Sequence, residues 1–157
     1  MTNELAELPK GWQKFGGVNF EIAGVIQLAS SNTVKSFPRR VDSIPVDRKM
    51  KTSRRLHVLL GCMGTVPSET EIAKLVLHRE KTDKTEAILI RYGRDVHCAP
   101  TPANGADMAR VAWETNGWRV CQMMITNPIP ARRLKAIDFK SSLTTSAPFL
   151  LALTVEP

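Results

Sequence analysis

At 157 residues, with 43% hydrophobic and 24% charged residues, the chain has the length and apolar share of one globular domain and little room for a second. No apolar run approaches the ~20 residues needed to cross a bilayer. The polar, acidic opening MTNELAELPKGW lacks the basic start and apolar centre of a signal peptide. The chain is therefore expected to be cytoplasmic if complete, or exported if it is an excised domain of a longer protein.

Most of the net charge of +7 falls between Arg39 and Arg55. Arg39, Arg40, Arg48, Lys49, Lys51, Arg54 and Arg55 stand there against only Asp42 and Asp47. Such a field draws nucleic acid, acidic polysaccharide or an acidic protein surface. The plainer reading is a solvated set of loops and an edge strand. The stretch has none of the interleaved aromatics on which single-stranded nucleic acid stacks.

In chain order, residues 1–15 read as a partly ordered extension and residues 16–157 as the folded domain. Val18–Leu28 (VNFEIAGVIQL) is a β-branched run with a bulge expected at Gly24. Val41–Arg48 alternates, and Pro45 inside it predicts an edge strand, since proline cannot donate to a ladder. Arg54–Gly61 (RRLHVLLG) sets Leu56, Val58 and Leu60 on one face and Arg55, His57 and Leu59 on the other. Glu71–Glu80 and Ala87–Tyr92 form a hairpin through Thr82, Asp83 and Lys84.

A short strand is expected around Val96. Asn116-Gly117 then joins Met108–Thr115 to Trp118–Thr126, and that dipeptide suits a type I′ turn, whose central residues both need positive φ. The turn sets Thr115 opposite Trp118, Glu114 opposite Arg119 and Trp113 opposite Val120. Arg133–Ser141 and Phe149–Glu156 close the chain, the first alternating Leu134, Ala136 and Asp138 against Lys135, Ile137 and Phe139. About nine short strands define an all-β, antiparallel two-sheet sandwich.

The segments GVNFEIAGVIQL, FPRRVDSIPVDRK, RRLHVLLGCMG, EIAKLVLHRE, ILIRYGRDVHC, VAWETN, ITNPIPARRLKAIDFKS and APFLLALTVE occur in this order over Gly16–Glu156. In this the chain resembles bacterial galactose-binding-like β-sandwich domains of planctomycete and verrucomicrobial multidomain proteins, joined there to signalling, FecR-like or hydrolase modules. The resemblance implies a jelly roll, no catalytic residues and carbohydrate as ligand. It also implies a departure here. His97, Cys98 and Ala99 stand where such domains carry an aromatic-rich segment, so a sugar platform at that place would be lost.

No catalytic constellation is complete. Neighbouring His97 and Cys98 point to opposite faces of a strand, His57 and His78 lie on different strands, and no C-x₂₋₄-C pair announces zinc. Cys62 with His57 is the least poor nucleophile pair, but the two are five apart and so on opposite strand faces unless the chain turns at Gly61. Gly16-Gly17 precedes a strand, not a phosphate-binding helix, and Asp95 with Glu114 is an unmarked carboxylate pair. Cys62, Cys98 and Cys121 read as small buried hydrophobes, one pair of which could still meet in the fold.

The expectation is a non-catalytic recognition module with no cofactor and no metal, binding carbohydrate. Trp118, Trp113, Arg119, Arg94 and Asp95 are the candidate ligand residues, because an indole face packs on a sugar ring and arginine clamps hydroxyls or carboxylates. Both tryptophans could instead cover the sandwich edge, and Trp12 could close one end or lie loose. The alternative is a protein-interaction or scaffolding domain of a larger regulatory protein, setting the basic stretch against an acidic partner or a polyanion. Ligand identity and oligomeric state stay open.

Overall fold

The computed structural model describes residues 8–46, 53–98, 109–115, 117–130 and 132–157. Eleven strands and no helix occur among them: β1 (Gly11–Phe15), β2 (Val18–Ile22), β3 (Ile26–Gln27), β4 (Arg40–Pro45), β5 (Arg55–Met63), β6 (Glu71–Arg79), β7 (Thr85–Arg91), β8 (Arg110–Glu114), β9 (Arg119–Thr126), β10 (Leu134–Ser141) and β11 (Ala147–Glu156). They form a five-stranded antiparallel sheet in the order β3-β11-β5-β9-β8, a four-stranded one in the order β4-β10-β6-β7, and the separate hairpin β1-β2. The all-β sandwich expected from the sequence is present, with eleven strands in place of nine.

The difference in strand number lies near the N-terminus. Val18–Leu28 is not one bulged strand, because Ala23–Val25 leave the ladder and separate β2 from β3. GWQKF, assigned by the sequence to an extension, is β1, paired with β2 from Gly11↔Ile22 to Phe15↔Val18. Gly16 (φ 56°) and Gly17 (φ 78°) make the two-residue turn, and only glycine takes two successive positive φ values at little cost. The segment around Val96 makes an isolated bridge to Tyr92 in place of a strand.

Two apolar layers result. Leu56, Val58, Leu60 and Cys62 of β5, Leu75 and Leu77 of β6, Ile90 of β7, Ile137 and Phe139 of β10 and Leu150 of β11 fill the space between the sheets. On the outer face of the five-stranded sheet, Phe20 and Ile22 of the hairpin pack on Leu59, Val120, Phe149, Leu151 and Trp118. Strand β5 is thus covered on both sides, which explains why RLHVLLG is apolar almost throughout. His57, on that outer face, reaches Glu156 Oε2 at 2.8 Å.

The β6–β7 hairpin forms as its alternation predicts, with Leu75↔Ile88 and His78↔Thr85 in register. Strand β4, which ends at Pro45, is an edge strand. The clean alternation expected in β10 is broken: a register shift between Leu134 and Ala136 lets Leu134, Ile137 and Phe139 all enter the core, and turns Ala136, Asp138 and Lys140 outward.

Candidate functional site

The Asn-Gly hairpin has the register its sequence predicts. Glu114 pairs with Arg119 and Trp113 with Val120, and the Thr115 N–H donates to the Trp118 carbonyl at 2.8 Å. Asn116 lies outside the described residues. The tryptophans at this hairpin are turned to packing. Trp118 is only 5% exposed and meets Phe149 edge-on, ring centroids 5.1 Å apart. Trp113 is half-buried against the same outer cluster. Exposure falls instead on Trp12, at 72% on β1, where it closes nothing.

Arg119 is buried. Its Nη2 bonds Glu114 Oε1 at 2.8 Å, and its Nη1 bonds the Cys98 carbonyl at 3.2 Å and His97 Nδ1. Arg94 and Asp95 brace the turn after β7: Arg94 Nη2 meets Asp95 Oδ2 at 2.8 Å and the Leu89 carbonyl at 2.8 Å. Asp95 Oδ2 also accepts the Arg91 N–H at 2.8 Å. The five candidate ligand residues therefore sit in two places, and their polar groups are largely engaged within the chain.

Of the basic stretch, Arg39 and Arg40 lead into β4 in one sheet, whereas Arg54 and Arg55 lead into β5 in the other, with Arg55 reaching Glu156 at 3.4 Å. Arg48, Lys49 and Lys51 lie outside the described residues. A strand carries neighbours in sequence apart at ~3.3 Å per residue, so a run of cations need not make a patch.

Strand pairing makes a different grouping. Lys140 of β10 is in register with Arg40 of β4 on one side and Lys74 of β6 on the other. Paired residues project to the same face, and Phe139 points into the core, so these three cations form a row across the outer face of the four-stranded sheet, one per strand at ~4.8 Å spacing. Like charges directly opposite one another destabilise a sheet unless they are compensated. Arg40 is forked onto Asp42 at 2.6–2.9 Å, and that bond raises the guanidinium pKa above its ordinary value. Lys74 Nζ lies 3.6 Å from Glu71. Lys140, between them, makes no ion pair among the described residues.

Beside the row, Asp138 is buried. Burial pushes its carboxyl up, but the bond from His78 Nε2 at 2.8 Å, the Ser43 N–H at 2.8 Å and the charges of His78 and Lys140 together outweigh that and hold it below its ordinary value. Ser43 takes φ 56° to reach it. Further along, an open cleft of about 370 Å³ lies between β4 and β10, and Ser43, Glu80, Arg133 and Lys135 are its polar lining. The outward positions of the strands on this face carry no Phe, Tyr or Trp.

The cysteines are brought together at one end of the core. Cys62, Cys98 and Cys121 are all buried thiols. The Gly64 N–H donates to the Cys98 sulfur at 3.2 Å. Interaction with the Cys62 thiol is the main cause that lowers the Cys98 pKa, to about 6; burial opposes the fall, while Gly64 and Arg119 add to it. Cys62 is correspondingly pushed well up by its bond to Cys98 and by burial. Burial raises Cys121 to about 11, against the His97 N–H and the charge of Arg119. Periodicity could place each cysteine inside but could not pair β5 with a segment some thirty residues away.

No group of three or more His, Cys, Asp or Glu among the described residues is placed to hold a metal ion, and no helix there is long and apolar enough to cross a membrane. Compared with protein-family models, with curated proteins and with solved structures, the chain gives no match.

Proposed function

We propose that this chain is a non-catalytic recognition domain for acidic polysaccharide, which it meets with the outer face of the four-stranded sheet. The observation that carries this reading is the row Arg40, Lys140 and Lys74. An extended chain bearing a carboxylate on successive sugars can lie across the strands and supply the missing counter-charge. The cleft lined by Ser43, Glu80, Arg133 and Lys135 adds hydroxyl and ammonium donors, with Arg133 there already 3.9 Å from Glu80. A guanidinium fork matches a carboxylate well.

Two further considerations favour a charged glycan over the other ligands the sequence leaves open. Neutral sugars are held by exposed aromatic faces, and the indole proposed for that role, Trp118, is packed on Phe149. Single-stranded nucleic acid likewise needs stacking platforms, and this face has none. The likeness to galactose-binding-like jelly-roll domains is in keeping with a carbohydrate ligand. Because fold alone never specifies a ligand, the charge row and not that likeness bears the weight.

The test is affinity electrophoresis in gels holding polygalacturonate or a neutral glucan. The polyuronate should retard the protein in low salt, release it as ionic strength rises, and lose most of its grip on K74E/K140E. Equal retardation by the neutral glucan, or unchanged retardation of the double variant, would overturn the assignment.

A further inference from the structure

We propose that the cleft between the β6–β7 turn and the β9–β10 connection, at one end of the sandwich, binds a small-molecule phosphate monoester. The cleft is open and holds about 380 Å³, within the range of small-molecule sites. Arg79, Lys84 and Arg132 bring cations to it, Thr82 and Thr85 hydroxyls, Glu86 a carboxylate and Ile129 an apolar wall. It shares no residue with the charge row on the outer face of the four-stranded sheet, and the two readings stand or fall separately.

The charge at this cleft is one-sided. Glu86 is already matched, since both its oxygens accept from the Arg79 guanidinium, at 3.1 and 3.3 Å. Lys84 and Arg132 are exposed and make no ion pair among the described residues. Three cations against one carboxylate call for a dianion, and a phosphate monoester approaches that charge at neutral pH, where a carboxylate brings only one. Its terminal oxygens accept from guanidinium, ammonium and hydroxyl alike. Thr82 Oγ1 accepts the Lys84 N–H at 3.2 Å and keeps its own hydrogen to donate. Ile129 and Arg132 are set by a turn in which the Arg132 N–H donates to the Ile129 carbonyl at 3.1 Å. Arg79 supplies an independent observation. Its side chain is 2% exposed, and Nη2 also bonds Asn127 Oδ1 at 2.6 Å, yet its Nε has no hydrogen-bond partner among the described residues. Buried donors are rarely left unmade, and an anion entering the cleft that Arg79 lines brings the missing acceptor. Asn127 accepts the Ile129 N–H at 3.1 Å and donates to the Ser53 carbonyl at 2.7 Å, so Arg79 is held in place before any ligand arrives.

The experiment titrates the labelled wild-type chain with inorganic phosphate, glycerol 3-phosphate and acetate at constant ionic strength, following amide and arginine Nε–H resonances. Both phosphates should give saturable shifts at Arg79, at residues 82–86 and at Arg132, and should move the Arg79 Nε–H signal; acetate should give none that saturate. In K84E/R132E the Kd for phosphate should rise by at least about tenfold with the loss of two charge-assisted contacts. K74E/K140E, altered only on the outer face, should bind phosphate as wild type does. Shifts that fail to saturate at tens of millimolar phosphate, equal binding of acetate, exclusion of glycerol 3-phosphate, or an unmoved Arg79 Nε–H would each refute the proposal. So would a Kd that K84E/R132E leaves unchanged or that K74E/K140E raises as much. The comparison of phosphate with acetate on the wild-type chain decides even if a variant fails to fold.

Discussion

Gly61 is where the three-layer packing is most sharply exposed to test. It lies in β5 opposite Phe149 of β11, and the Phe149 ring occupies the space a side chain would take. A Cβ at this position would sit 2.3 Å from Phe149 Cζ and 2.5 Å from the backbone oxygen of Arg119. The ring could turn, but the carbonyl belongs to β9, where Arg119 is paired with Glu114 of β8, and can move only by disturbing that ladder. Overpacking a tight core costs about 1–3 kcal/mol, and a backbone obstacle puts Gly61→Ala at the upper end of that range. For a domain of this length ~3 kcal/mol corresponds to a fall in Tm of roughly 6–12 °C. Scanning calorimetry against Gly24→Ala is the measurement, since a Cβ at Gly24 meets nothing within 4 Å and should leave Tm within about 2 °C. If Gly61→Ala melts within about 2 °C of wild type, the outer layer is not packed on β5 as described.

Three other substitutions probe separate parts of the molecule. Trp118→Ala should cost roughly 3–5 kcal/mol in denaturant unfolding by emptying the outer cluster, yet leave polyuronate retardation per folded molecule unchanged. Glu86→Ala removes both carboxylate bonds, at 3.1 and 3.3 Å, from the buried Arg79 and leaves it, among the described residues, Asn127 at 2.6 Å, so unfolding should become easier by about 3 kcal/mol. Asp138 has a lower pKa folded than unfolded, so its carboxylate adds stability above its ordinary pKa that is lost as pH falls through the folded value. The advantage of wild type over Asp138→Asn in urea unfolding should therefore shrink as acid is added below the ordinary carboxylate range.

What the sequence discloses and what it hides divide along sequence separation. The register of the β8–β9 hairpin follows from Asn116-Gly117, because the turn and the Glu114–Arg119 pair are local. The faces of β5 follow from period two. The β1–β2 hairpin was legible in principle, as Gly16-Gly17 separates two runs by two residues, but the adjacent exposed Gly11 and Trp12 of GWQKF gave no clean alternation. The break in β10 was not legible, since a bulge at Lys135 leaves the composition untouched and changes only which residues face in. The charge row and the thiol pair were invisible for the same reason: each joins residues from strands far apart in the chain, and only pairing brings Arg40, Lys140 and Lys74, or Cys62 and Cys98, together. Trp118 illustrates the reverse difficulty. A tryptophan beside a hairpin turn reads equally well as platform or packing, and it is Phe149, some thirty residues on, that decides.

The most direct measurement is amide chemical-shift mapping with oligogalacturonate titrated into the labelled protein in low salt. Shifts concentrated on β4, β10 and β6 around Arg40, Lys140 and Lys74, fading as salt is added, are the predicted result. Shifts confined to the hairpin of Trp113 and Trp118, or none on the four-stranded sheet at saturating ligand, would contradict it.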